Sequence, residues 1–121
     1  DFDLADKYPN KQCGVFGEFA HPVTDLNVSL AFWKKLGFKV KGNIKQPYPH
    51  AIISDGLMII GLHQATHFTF PAVTYFGINT FKRVQKLKEE GLQNFTEMMV
   101  KNNVMFKTWE GQHFFIFSLG N

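Results

Sequence analysis

The strongest constraint in this chain is a pattern that runs through it twice. Gly37 and Gly91 stand 54 residues apart, as do Asp25 and Asn79, and the dipeptides Asp55-Gly56 and Glu110-Gly111 are 55 apart. Each half reads as a strand, a polar cap residue, an amphipathic stretch, a glycine stop and three more strand-like runs. Self-similarity at one fixed period marks a chain built from two copies of a unit. A lone unit of this size buries too little apolar surface to stand alone, so the two are expected to share a domain.

In the first copy Asp25 is the helix cap, and Leu26, Leu30, Trp33 and Leu36 follow at helical spacing. Lys34 and Lys35 fall in the last turn, where cations suit the helix C-terminus, and Gly37 stops it. In the second copy Asn79 or Thr80 is the cap, Phe81, Val84, Leu87 and Lys88 make the stripe, and Gly91 is the stop. The expected strands are 15–21, closed by Pro22, then 38–45, 50–54 and 57–64, and in the second copy 72–78, 95–101, 104–109 and 113–117. Asp55-Gly56 reads as a two-residue hairpin turn. Residues 1–14 form an irregular lead-in to one domain over 15–121. Module one spans 15–64, a linker 65–71 and module two 72–118. The expected fold class is α+β: one curved mixed sheet, helices on its outer face and a trough inside.

Composition narrows the function. Twelve of the 13 basic residues are Lys and the only Arg is Arg83, so the net charge of +3 reads as a solvated surface, not a nucleic-acid footprint. No apolar run approaches a bilayer span, which excludes a membrane partner. The single cysteine, Cys13, forbids an intrachain disulfide and an all-Cys metal site, and it reads as inert. Together with the acidic opening Asp1-Phe2-Asp3-Leu4, it makes a cytoplasmic protein the expectation. Phe supplies 14 of the 19 aromatic residues, a surplus that suits an apolar pocket or a buried interface.

Residues 18–38, E-F-A-H-P-V-T-D-L-N-V-S-L-A-F-W-K-K-L-G-F, carry a resemblance. They are similar to the opening motif of the glyoxalase/bleomycin-resistance/dioxygenase superfamily, the vicinal oxygen chelate proteins. Val23, Asp25-Leu26, Ser29, Phe32 with Trp33, and Leu36-Gly37-Phe38 occupy its positions. With the duplication, the resemblance covers about residues 15–118, although Glu110-Gly111 stands where the family usually has D-P-D-G. It implies paired βαβββ modules and a cupped eight-stranded sheet. It also implies four metal-ligand positions, which map to Glu18, Gly61, Ala72 and Phe115. Only Glu18 has a ligating side chain. A divalent ion needs three or four protein ligands, so the resemblance implies a member without a metal or other cofactor.

Glu18 has two readings: a solvated strand carboxylate, or a catalytic base or hydrogen-bond acceptor set in an apolar trough beside Phe16 and Ala20. His63 and His113 each lie two residues from an empty ligand position and keep the same side of their strands. They are either unrelated strand-end histidines, a ligand-binding pair, or a displaced metal site. Thr74, Phe76, Phe115 and Phe117 alternate onto the trough side, while Phe114 and Ile116 face the helices. His21, His50 and His67 read as surface residues.

The leading expectation is metal-independent binding of a small, partly apolar or aromatic organic molecule. Its lining would be Glu18, His63, Thr74, Phe76, His113, Phe115 and Phe117, in a chain that forms a homodimer. The alternatives are a metal-dependent glyoxalase-like lyase or dioxygenase, and a protein-interaction module using a Phe-rich face.

Overall fold

A computed structural model describes residues 10, 12–93, 96–97 and 102–119. Among these, ten elements follow one another: β1 (Val15–Pro22), α1 (Leu26–Lys35), β2 (Lys39–Ile44), β3 (His50–Ser54), β4 (Ile59–His63), β5 (Ala72–Gly77), α2 (Thr80–Glu89), β6 (Thr96–Glu97), β7 (Val104–Lys107) and β8 (His113–Ser118). Both copies of the strand–helix–three-strand pattern are present, so the fold is mixed α+β with two βαβββ modules. They form two compact units: residues 18–71, and residues 72–119 together with the described part of 10–17.

The repeat is held in the hydrogen-bond register. In the first unit β1 runs parallel to β4, with Ala20 opposite Gly61 and Pro22 opposite His63. In the second, β5 runs parallel to β8, with Thr74 opposite Phe115 and Phe76 opposite Phe117. Each of these pairs is displaced by 54 residues from its counterpart. Within the units, the β2–β3–β4 and β6–β7–β8 ladders are antiparallel.

Helix boundaries obey local chemistry. Asp25 caps α1 by accepting a hydrogen bond from the Val28 amide, and the Gln64 side chain accepts one from the Leu26 amide at 2.8 Å. Both helices end in the same motif. Gly37 and Gly91 take positive φ (98° and 96°), and the Phe38 and Leu92 amides reach back to the Trp33 and Leu87 carbonyls. In α1 Leu26 and Leu30 are buried against Ala51, Ile53, Ile60 and Leu62, with Phe19, Val23, Trp33, Phe38 and Val40 around them. Each fully buried aliphatic side chain contributes about 1.5–3 kcal/mol. In the second unit Tyr75, Phe106, Phe114 and Ile116 pack with Cys13, as expected for Phe114 and Ile116.

Several expectations are corrected. The stripe of α2 is Thr80, Val84 and Leu87, and Phe81 is 74% exposed. Asn79 begins that helix in the left-handed region and makes no side-chain cap, while the buried Thr80 hydroxyl donates to the Asn102 carbonyl. The helix keeps Val84 and Leu87 on its buried face and puts Thr80 in the place expected for Phe81. Leu36, expected in the α1 stripe, is the exposed C-cap. The turn at Asp55-Gly56 has four residues, 55–58, because Ser54 pairs with Ile59. Its counterpart has five, between Lys107 and His113. Pro22 lies inside β1, not beyond it. The described end of the lead-in is an ordered turn: Asn10 accepts from the Gln12 and Cys13 amides, and Arg83 donates to the Gln12 carbonyl. Of the strand expected over 95–101, Thr96 and Glu97 are strand; the others lie outside the described residues. Among the described residues no helix is long and apolar enough to cross a membrane.

Candidate functional site

The face of the first unit turned away from α1 follows from strand alternation. Ala51, Ile53, Ile60 and Leu62 point at the helix, so Glu18 on β1, Gly61 and His63 on β4, and His50 and Ile52 on β3 project to the other side. Ile52 lies opposite Gly61, and His50 opposite His63. Gly61 is what permits the central feature. A Cβ at that position would fall on the Glu18 carboxylate, so the Glu18 side chain crosses the bare Gly61 backbone. It ends at His63, whose Nε2 lies 2.5 Å from Glu18 Oε2. The two side chains are only 14% and 18% exposed.

The other imidazole nitrogen is also engaged. Tyr48 Oη lies 3.0 Å from His63 Nδ1, which makes a continuous chain of carboxylate, imidazole and phenol. A carboxylate only accepts, so Nε2 carries a hydrogen and donates it. Burial, and secondarily the Glu18 charge, push the Tyr48 phenol above its ordinary value of 10.0, so it stays a neutral hydroxyl. Rings enclose this chain. His50 stacks on His63 at 5.4 Å and 9°, and its Nδ1 donates to the Tyr48 carbonyl at 3.0 Å. Phe68 meets His63 edge-on at 5.6 Å, and His67 meets Tyr48 at 5.6 Å.

Sequence reasoning singled out Glu18 and His63 without pairing them, and it missed Tyr48 altogether. It also placed His50, His67 and His21 on the surface. His67 is exposed yet in ring contact with Tyr48. His50 is half-buried in the stack, and His21 is half-buried against Phe19, ring centroids 6.4 Å apart. A signal for His50 was present: it precedes the 55–58 turn by as many residues as His63 follows it, so an antiparallel hairpin had to set them side by side.

Thr74 and Phe115 are buried. Phe117 lies 5.6 Å from both Phe76 and Phe115, ring to ring. His113 is half-buried and opens β8 opposite Ala72. A Cβ on Gly17 would come 2.7 Å from the Phe76 ring and 2.9 Å from the Thr74 hydroxyl, so a larger residue there would push these side chains aside. Cys13 is buried, and desolvation raises its thiol pKa although nearby Arg83 opposes the shift. A thiol of that kind is a poor nucleophile, in keeping with the inert reading.

The residues present do not fit the superfamily's metal. Gly61, Ala72 and Phe115 have no ligating side-chain atom, and Glu18 Oε2 is held by an imidazole N–H. No group of three or more His, Cys, Asp or Glu side chains able to hold a metal occurs among the described residues.

No family model matches the sequence, and no curated protein does. Solved structures do match. A glyoxalase/bleomycin resistance protein/dioxygenase superfamily member from Vibrio splendidus 12B01 is 16% identical and superposes with a TM-score of 0.59 over 86% of this chain and 99% of its own. A hypothetical protein of Bacillus halodurans C-125 is 15% identical, with a TM-score of 0.58 over 85% and 92%. A bleomycin-binding protein complexed with bleomycin aligns over 84% and 96% at 14% identity, with a TM-score of 0.38. The fold of this chain is thus that of the glyoxalase/bleomycin resistance/dioxygenase superfamily, as the sequence resemblance implied.

Proposed function

We propose that this chain is a metal-independent small-molecule-binding protein of the glyoxalase/bleomycin-resistance type, acting in the cytoplasm as a homodimer. The observation that supports this reading best is the Glu18–His63–Tyr48 chain. The one ancestral ligand position that keeps an ionisable group has its carboxylate oxygen bound to an imidazole. A carboxylate oxygen so engaged holds and orients the imidazole beside it. In this reading Glu18, with His63 bound to it, is the polar feature of the first unit, and Thr74, Phe76, His113, Phe115 and Phe117 give the second unit a largely aromatic face of its own. The ligand is a small organic molecule, partly apolar or aromatic, held by ring burial and oriented by a few polar groups.

Elemental analysis of protein purified without added metal tests the metal-free part. The expected result is less than about one tenth of a divalent ion per chain, because one competent position cannot retain an ion. Near-stoichiometric nickel, zinc, manganese or iron would overturn it and favour a metal-dependent lyase or dioxygenase. A thermal-shift screen against small aromatic molecules tests the binding part. A ligand at a hundred times its Kd should stabilise the fold by about 2.7 kcal/mol.

A further inference from the structure

Both nitrogens of His63 are used, one by Glu18 and one by Tyr48. Its imidazole therefore has no polar atom left for a ligand. The end of the chain is the Tyr48 hydroxyl, and among the described residues its bond to His63 is the only one that hydroxyl makes. We propose that Tyr48, not His63, is the specificity-determining contact of this site: its Oη acts as a hydrogen-bond acceptor and selects aromatic ligands that carry a donor, such as a phenol O–H or an aromatic N–H. The inference rests on the binding reading above.

The argument is one of donors and acceptors. Glu18 can only accept, so the hydrogen of the first bond sits on Nε2. A neutral imidazole then has an unprotonated Nδ1, which accepts the Tyr48 hydroxyl hydrogen at 3.0 Å. Every donor in the chain meets an acceptor, and the capacity left on Oη is its lone pairs. The reverse assignment, with Nδ1 donating, leaves the hydroxyl hydrogen of this half-buried phenol with no partner among the described residues. Because the phenol pKa is raised, Tyr48 stays a hydroxyl and does not present a phenolate charge to the ligand. The neighbours are rings: His50 on His63, Phe68 on His63 and His67 on Tyr48. Glu18 and His63 become positioning residues that fix which way the hydroxyl hydrogen points.

Two measurements test this. Long-range proton–nitrogen NMR above the ordinary histidine range should show His63 with a protonated Nε2 and a bare Nδ1. A protonated Nδ1 would overturn the assignment. Phenol and anisole, nearly equal in shape, are then titrated while the His63 and Tyr48 signals are followed. Phenol should bind about five- to tenfold tighter, the range of one neutral hydrogen bond. Tyr48→Phe should bind both with the preference gone. Glu18→Gln, which can hold His63 as either tautomer, should bring the ratio towards one without unfolding. Equal binding of the two probes by the unaltered chain, with shifts at Glu18 and His63, overturns the Tyr48 assignment and leaves the binding reading standing. Binding of neither overturns the binding reading and this inference with it.

Discussion

The two modules carry different chemistry on one backbone register. Where the first has Glu18, Gly61 and His63, the second has Ala72, Phe115 and Phe117 at the positions 54 residues on. In the first, a glycine leaves space for a carboxylate to cross β4 and meet an imidazole. In the second, the same strand positions hold a buried phenylalanine and a partner ring 5.6 Å away. The backbone hydrogen bonds repeat and the side-chain interactions do not. The fold therefore sets where side chains project, and one or two small-for-large exchanges decide whether that place is polar or packed.

If the second module's face is packing, removing its central ring should damage stability. Phe115→Ala is expected to cost about 3–5 kcal/mol in chemical denaturation, the usual range for a buried aromatic. A loss below about 1 kcal/mol would show that the ring is not part of the core and would weaken the contrast. The same position in the first module should respond differently. In Gly61→Ala the new Cβ displaces Glu18, the flexible end of a side chain, and the Glu18–His63 bond is lost. The expected cost is about 2 kcal/mol, that of a charge-assisted hydrogen bond. It should be accompanied by a large change at the His63 ring nitrogens and little elsewhere in β4. An unchanged His63 spectrum would mean the carboxylate does not depend on the glycine.

Much of the fold was readable because its signals are local. Asp25, Gly37 and Gly91 act within one helical turn of themselves, and all three do in the structure what their residue types suggest. The site was readable only in part. Glu18 and His63 lie on strands whose alternation fixes their side, whereas Tyr48 lies in the β2–β3 connection, where no periodicity says which way a side chain turns. Phe81 misled for a physical reason. Apolar residues at 81, 84 and 87 satisfy helical spacing, but so do 80, 84 and 87, and the Thr80 hydroxyl has the Asn102 carbonyl to satisfy it when buried. Hydrophobicity alone could not choose between the two faces.

Where the modules agree, their responses should agree too. Gly37→Ala and Gly91→Ala both force a side chain into the left-handed region, with no atom within 4 Å of the new Cβ at either. Strain alone should then act, at about 1–2 kcal/mol each. Melting temperatures of the two variants should fall together. A loss confined to one of them would show that the two helix ends are not equivalent.

The smallest effect separates the two turns that follow β3 and β7. Asp55 Oδ1 accepts hydrogen bonds from the Leu57 and Met58 amides at 3.0 and 2.8 Å. In the second module a hydroxyl takes the corresponding part: Thr108 Oγ1 accepts from the Gln112 amide at 3.1 Å. Of these two accepting groups only the Asp55 carboxylate can be protonated by acid. Its backbone hydrogen bonds hold the Asp55 carboxyl below the ordinary value of 3.8. A carboxyl whose pKa is depressed by folding stabilises the folded state above its unfolded value, and that contribution is lost as pH falls through the folded value. The window is thus below 3.8, and the full exposure of Asp55 keeps the effect small. The amide shifts of Leu57 and Met58 should titrate with a midpoint under 3.8, while that of Gln112 shows no such midpoint. Asp55→Asn should abolish the first titration, and its stability difference from the unaltered chain should shrink as pH falls through the same window. A midpoint at or above 3.8 would mean that the turn amides do not favour the charged form, and the two turns would then be alike in chemistry as well as in position.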